Sequence, residues 1–132
     1  MIFGIGTDVV QVTRVERVWE RFGQHFAERL LLDPERKLFE RSKRPVRFLA
    51  MRFAAKEAVV KAMGTGFAHG MWVRDVGMMP NSWGQPQIIY SARGEAMCAK
   101  LGIAGGHLSL TDEAGLIVAM AVLMRAIPSG NP

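Results

Sequence analysis

The sequence predicts an α+β fold. Three observations carry that expectation: a glycine-punctuated apolar strand at the start, a long helical pattern in the middle, and turn-separated apolar segments toward the end. The first segment, Met1 to Gly6, reads as a strand whose alternation puts Ile2, Gly4, Gly6 and Asp8 on one face, with Asp8 at its end. Thr13 followed by Glu16 has the form of a capping box. It opens a helix to about Gly23, with Val12, Val15, Trp19 and Phe22 on its apolar side. Arg14, Arg17 and Arg21 share another face of that helix, within an arc of roughly 60°.

Asp33-Pro34 pairs an N-cap with a proline at the first helical position and predicts a short helix ending in the basic Lys43-Arg44 turn. Pro45 starts the long helix, which runs to Gly64, a residue suited to a helix C-terminus. The Gly64-Thr65-Gly66 stretch that follows is a place where backbone N–H groups could face an anion. Trp72 to Met78 and Gln87 to Tyr90 read as strands around Asn-Ser-Trp-Gly-Gln-Pro. Ala92 to Leu101 reads as a helix, and His107 to Thr111 with Leu116 to Met124 as a closing hairpin. No repeat or interior linker divides the chain, so one domain is expected over 1–127, with a short tail at 128–132.

Composition narrows the function classes. With 132 residues and 49% hydrophobic content the chain has enough apolar material for one core. Its 17 Lys plus Arg against 12 Asp plus Glu leave a formal charge of +5, which favours an anionic partner: phosphate, nucleic acid, membrane surface or acidic protein. The single cysteine, Cys98, has no internal disulfide partner, and the N-terminus lacks a secretion pattern, so a cytoplasmic location is expected. The longest apolar stretch, Leu116 to Met124, falls short of the roughly 20 residues that cross a bilayer.

The sharpest chemical clue is Glu57. By helical spacing Val46, Leu49, Ala50, Phe53 and Val60 form an apolar stripe on the long helix, and Glu57 falls near its centre. A carboxylate there requires a partner. Lys61, four residues on, is one answer, and a metal ion is the other. Asp8 is the natural second carboxylate for a magnesium site completed by water and phosphate oxygens, although by itself it also reads as an ordinary turn residue.

Gly4-Ile5-Gly6-Thr7-Asp8-Val9-Val10 with Arg14, followed by Arg52-Phe53-Ala54-Ala55-Lys56-Glu57-Ala58-Val59-Val60-Lys61-Ala62-Met63-Gly64-Thr65-Gly66, resembles the two signatures of the phosphopantetheinyl transferases. The order, the Gly84-Gln85-Pro86 turn and the His107-Leu108-Ser109-Leu110 strand resemble the small holo-acyl-carrier-protein synthase branch almost end to end. The resemblance implies a small, mainly antiparallel sheet packed with a long central helix and shorter helices. It further implies a magnesium-dependent enzyme that moves the 4'-phosphopantetheine arm of coenzyme A onto a serine of apo-acyl-carrier protein.

By that resemblance Asp8 and Glu57 bind magnesium and Lys61 stands on the phosphate side of the site. Arg52, Lys56 and Gly64-Thr65-Gly66 are implied to line the coenzyme A site, with Lys43, Arg44 and His107 near its 3'-phosphate. Arg14, Arg17 and Arg21 are implied to meet the acidic carrier protein, with Arg14 as anchor. The branch forms homotrimers with interfacial active sites, for which Trp72, Met78 and Met79 are candidate contacts. Two positions depart from the pattern: Gln85 stands where relatives often carry lysine, and Thr111-Asp112-Glu113 replaces a Thr-His or Ser-His pair. Two other readings of the residues compete. A small basic nucleic-acid-binding module accounts for the charge but not for Glu57 on an apolar face, and a different magnesium-dependent phosphoryl-transfer enzyme would use the same carboxylates.

Overall fold

Alternating apolar residues at the two ends of the chain come together in one sheet. In the computed structural model, which describes residues 1–128, β1 (Ile2–Gln11) pairs antiparallel with β5 (Leu116–Arg125), and β5 with β4 (Ile103–Glu113). A separate hairpin joins β2 (Val76–Pro80) to β3 (Pro86–Tyr90). The helices are α1 (Val12–Phe22), α2 (Gln24–Leu30), α3 (Asp33–Glu40), α4 (Pro45–Met63) and α5 (Ala92–Leu101), with a 3-10 turn at Val73–Asp75. The α+β expectation holds. Of the tail expected at 128–132, residues 129–132 lie outside the described residues.

The long helix α4 lies on the sheet, and two glycines set how closely. A Cβ on Gly4 would stand 2.1 Å from the Ala62 carbonyl oxygen, and one on Gly6 would stand 2.1 Å from that of Ala58. Only glycine allows this approach. Two residues along a strand advance about 6.7 Å and four along a helix about 6 Å, so Gly4 and Gly6 keep step with Ala62 and Ala58. The next inward position on β1 is Asp8, which this matched stepping brings alongside the middle of α4. The face shared by Gly4, Gly6 and Asp8 is therefore the one expected, but β1 continues through Asp8 to Gln11 rather than ending near Gly6.

The remaining differences have local causes. Helix α1 starts at Val12 directly from β1, with no side-chain cap at Gln11, so Thr13 and Glu16 form no capping box. The Val12 N–H instead donates to Gly115 O at 2.9 Å in the β4–β5 turn. The chain re-enters a helix after Gly23, giving α2, which the spacing did not announce. Helix α4 is buried nearly all round: Leu49, Val59 and Val60 are fully enclosed, each worth about 1.5–3 kcal/mol of apolar burial, whereas Val46 and Phe53 are only half-buried. The stripe expected through Glu57 is thus not the core face. Segment 72–78 is not one strand, because Val73–Asp75 turns before β2 begins.

Candidate active site

Asp8 on β1 and Glu57 on α4 meet where the strand leaves the shelter of the helix. Both line a cleft of about 380 Å³, together with Arg14 and the apolar side chains Val18, Phe26 and Phe53. Lys61 does not pair up the helix with Glu57. Its Nζ donates across to the strand, to Asp8 Oδ1 at 3.1 Å and to Thr7 O at 3.0 Å. Glu57 has no hydrogen bond or ion pair among the described residues. Partial burial pushes its carboxyl above the ordinary carboxylate range, the negative charge of Asp8 pushes the same way, and Lys61 opposes both less strongly. Asp8 thus holds Lys61, while Glu57 lines the cleft with no ion pair among the described residues.

A second, larger cleft of about 650 Å³ opens between α4, the β2–β3 hairpin and the edge of β4. Arg52 from α4, Gln85 from the hairpin, and His107 and Ser109 from β4 supply its polar lining. Asn81 Oδ1 accepts from the N–H groups of Trp83 at 2.9 Å and Gln85 at 3.0 Å, which fixes the hairpin tip beside that cleft.

Residues 4–119 match the family model of the 4'-phosphopantetheinyl transferase superfamily. The chain belongs to that superfamily. It is 42% identical to a holo-[acyl-carrier-protein] synthase of Vibrio cholerae over 125 residues, 95% of this chain and 99% of that one. Its fold is similar to the crystal structure of holo-[acyl-carrier-protein] synthase from Neisseria meningitidis, with TM-score 0.90 and 38% identity over 95% of this chain and all (100%) of the other. A Helicobacter pylori holo-[acyl-carrier-protein] synthase solved in complex with coenzyme A is also similar, with TM-score 0.79 and 28% identity over 91% of this chain and 99% of that one.

Not every residue expected at the transferase site reaches it. Lys56, expected against coenzyme A, is 1% exposed, and its Nζ donates to Glu35 Oε1 at 2.9 Å and Val76 O at 2.5 Å. Its N–H groups are turned inward. Arg52 lies between the two roles: its Nε is 3.2 Å from Glu35 Oε2 and its guanidinium stacks 4.1 Å from the Phe48 ring centre, yet it walls the larger cleft. Burial depresses both basic groups and the nearby Glu35 carboxylate opposes that depression. The Gly64-Thr65-Gly66 N–H groups do not face an anion either. They donate to Lys61 O at 3.0 Å and to Val60 O at 3.2 Å and 3.1 Å, closing the end of α4 around Gly64 at φ 83°.

Lys43 and Arg44 are exposed in the turn before α4 and line neither cleft, whereas His107 does line the larger one. Arg14, Arg17 and Arg21 all point to solvent, and only Arg14 adjoins the carboxylate cleft. Met78, expected as a contact surface, is buried, while Trp72 is exposed. Sequence reasoning missed Glu35. A carboxylate in the first turn of α3 is ordinarily favourable at a helix start, and nothing in the local pattern announces that this one is fully enclosed.

Proposed function

We propose that this transferase moves 4'-phosphopantetheine from coenzyme A to a serine of apo-acyl-carrier protein, giving the holo-carrier of fatty acid biosynthesis and adenosine 3',5'-bisphosphate. The observation that carries the site reading is the pair Asp8 and Glu57, two carboxylates lining one open cleft, with Lys61 bonded to Asp8 and Glu57 unpaired among the described residues. An all-oxygen donor set suits magnesium, a hard cation that keeps water and phosphate oxygens in its remaining positions. Partial burial, and after it the neighbouring Asp8 charge, raise the Glu57 carboxyl, so a cation bound between the two carboxylates would favour its ionised form. Asp8 and Glu57 would hold the ion, which when bound neutralises charge on the pyrophosphate of coenzyme A.

The residues of the chain supply the rest. In the reaction the serine Oγ bonds to the β-phosphorus of coenzyme A, the bond from that phosphorus to the bridging oxygen breaks, and the serine proton is released. Lys61, half exposed and already turned toward the carboxylates, is placed to donate to a phosphate oxygen as charge builds on the leaving group. Arg52 and His107, with Gln85, offer a polar wall for the nucleotide part of coenzyme A. Lys43, Arg44 and the 64–66 turn retain a part only where a bound neighbour brings coenzyme A to them. Arg14 at the cleft rim, with Arg17 and Arg21 along α1, offers the acidic carrier a cationic track that ends at the carboxylates.

The reading takes the enzyme as a homotrimer, and the feature that favours self-association is the outer face of the sheet. Ile5 (64%), Val9 (61%), Met120 (47%) and Val118 (39%) are exposed side by side across β1 and β5. Met120 and Val122 also line the larger cleft, so a neighbouring copy seated on this face would border the coenzyme site. Residues 1–127 read as one transferase domain. Among the described residues no helix is long and apolar enough to cross a membrane, and the reading places the enzyme in the cytoplasm with its substrates. Incubation with apo-carrier protein, coenzyme A and magnesium tests the activity: a phosphopantetheine adduct seen by mass on the carrier serine supports it, and an unmodified carrier refutes it.

A further inference from the structure

Glu35 has no exposed surface, yet it places a carboxyl group in the middle of the molecule. Its Oε1 accepts from Leu32 N at 3.0 Å and Lys56 Nζ at 2.9 Å, and its Oε2 accepts from Met78 N at 3.0 Å and lies 3.2 Å from Arg52 Nε. One carboxylate thereby ties α3 to α4 and to β2. The strand is shaped to admit it: a Cβ on Gly77 would stand 2.7 Å from Glu35 Oε1 and 2.7 Å from Leu32 Cδ1. Buried ion clusters of this kind are often no more stabilising than apolar side chains of the same volume, so stability does not by itself account for the arrangement.

Its placement on α4 does. Arg52 and Lys56 are four residues apart on one face of the helix, and Glu57 follows Lys56 about 100° further round. Pinning that face fixes the rotation of α4 about its axis, and α4 delivers side chains to both clefts, Arg52 to the larger and Glu57 to the smaller. At the 5–6 Å radius of helical side chains, a rotation of about 10° displaces a carboxylate by about 1 Å. A misplacement of about 1 Å at a reacting centre can lower a rate about a hundredfold. We propose that Glu35 is a positioning residue of the transfer reaction, holding α4 at the rotation that aims Glu57 toward Asp8 and Arg52 into the coenzyme cleft. This rests on the site reading given above.

The test compares kinetic constants per folded active site in Glu35→Gln and Lys56→Met. The first keeps the shape of the side chain and removes its charge. The second removes one buried cation and leaves Glu35 paired one-to-one with Arg52, so it serves where the first does not fold. A positioning role predicts that kcat falls at least about tenfold in a folded variant while KM for the carrier protein stays within about twofold, because α1 is not held by this cluster. A purely structural role predicts a lower melting temperature with kcat unchanged per folded site, and that result overturns the proposal. Wild-type enzyme run alongside separates the two ideas: no adduct from wild type refutes the transfer reading itself, whereas normal wild-type transfer with unchanged variant kcat refutes only the role of Glu35.

Discussion

Helix α4 carries two ionic clusters, and they are opposite in composition. On one face a single carboxylate, Glu35, is shared by two cations, Arg52 and Lys56, with Glu35 and Lys56 fully buried and Arg52 nearly so. Where the helix meets β1, two carboxylates, Asp8 and Glu57, stand with one half-exposed cation, Lys61, which is bonded to Asp8, and Glu57 has no partner of its own among the described residues. The closed cluster has its oxygens saturated by main-chain and side-chain donors. The open one retains unspent charge beside a cleft. Carboxylates and basic side chains thus serve fixation in one place and ligand capture in the other, and what separates them is whether each charge already has its partner.

Breaking the open cluster should give the largest effect. Asp8→Ala and Glu57→Ala should each lower transfer by about 10²- to 10³-fold or more, as loss of a charge-stabilising group commonly does. Their melting temperatures should stay near wild type, since each substitution removes one of two repelling carboxylates. A folded variant with near-native turnover at saturating magnesium would contradict this. The closed cluster should differ by costing stability as well. Glu35→Ala strands two buried cations and should cost about 3–5 kcal/mol of stability, read from denaturant unfolding; a loss below about 1 kcal/mol would place the cluster among weak surface pairs.

Smaller effects sharpen the contrast. Arg14→Glu, alone or with Arg21→Glu, should raise KM for carrier protein about tenfold and leave coenzyme A affinity unchanged, because these arginines face solvent at the cleft rim. Wild-type efficiency should fall with salt, as exposed charges are screened beyond roughly 10 Å near 0.1 M. An unchanged carrier-protein constant, or an equal loss in coenzyme A affinity, would make the arginine strip only a solvated face. The smallest effect is on pH. In the metal-free protein the Glu57 carboxyl is raised from its ordinary 4.5, so the folded state binds that proton more tightly than the unfolded chain does. Its contribution to stability is complete below that ordinary value and is lost as pH rises through the raised one. Thermal melts of wild type and Glu57→Gln over roughly pH 4 to 7 should therefore converge at low pH and separate as pH rises, with the wild type the less stable of the two.

Much of this was legible beforehand, and the failures share a cause. Ala92–Leu101 and the closing hairpin were readable because their caps, glycines and alternation are local signals. The placement of Asp8 opposite α4 followed from strand parity, since Gly4, Gly6 and Asp8 share a face whatever the length of the strand. Periodicity misled on α4 because the helix is buried on most sides, its own Ala54, Ala55, Ala58 and Ala62 included, and so has no single apolar stripe to find. Likewise Lys56 was expected against coenzyme A, because its partner Glu35 is distant in sequence and is brought against it only by the fold. The Gly64-Thr65-Gly66 turn looked free to bind an anion because the carbonyls that take its N–H groups belong to the preceding helix turn. Local rules saw the elements, and long-range pairing decided which charges were left open.

The account stands or falls on those open charges. The most direct measurement is the rate of phosphopantetheine transfer to apo-carrier protein as magnesium is titrated, for wild type and for folded Glu57→Gln. Wild type should be inactive without the ion and rise to saturation with it, whereas Glu57→Gln should stay at least about a hundredfold lower at every concentration. A wild-type rate independent of magnesium, or a Glu57→Gln curve that overlays it, would contradict the assignment of Asp8 and Glu57 as the ion's ligands.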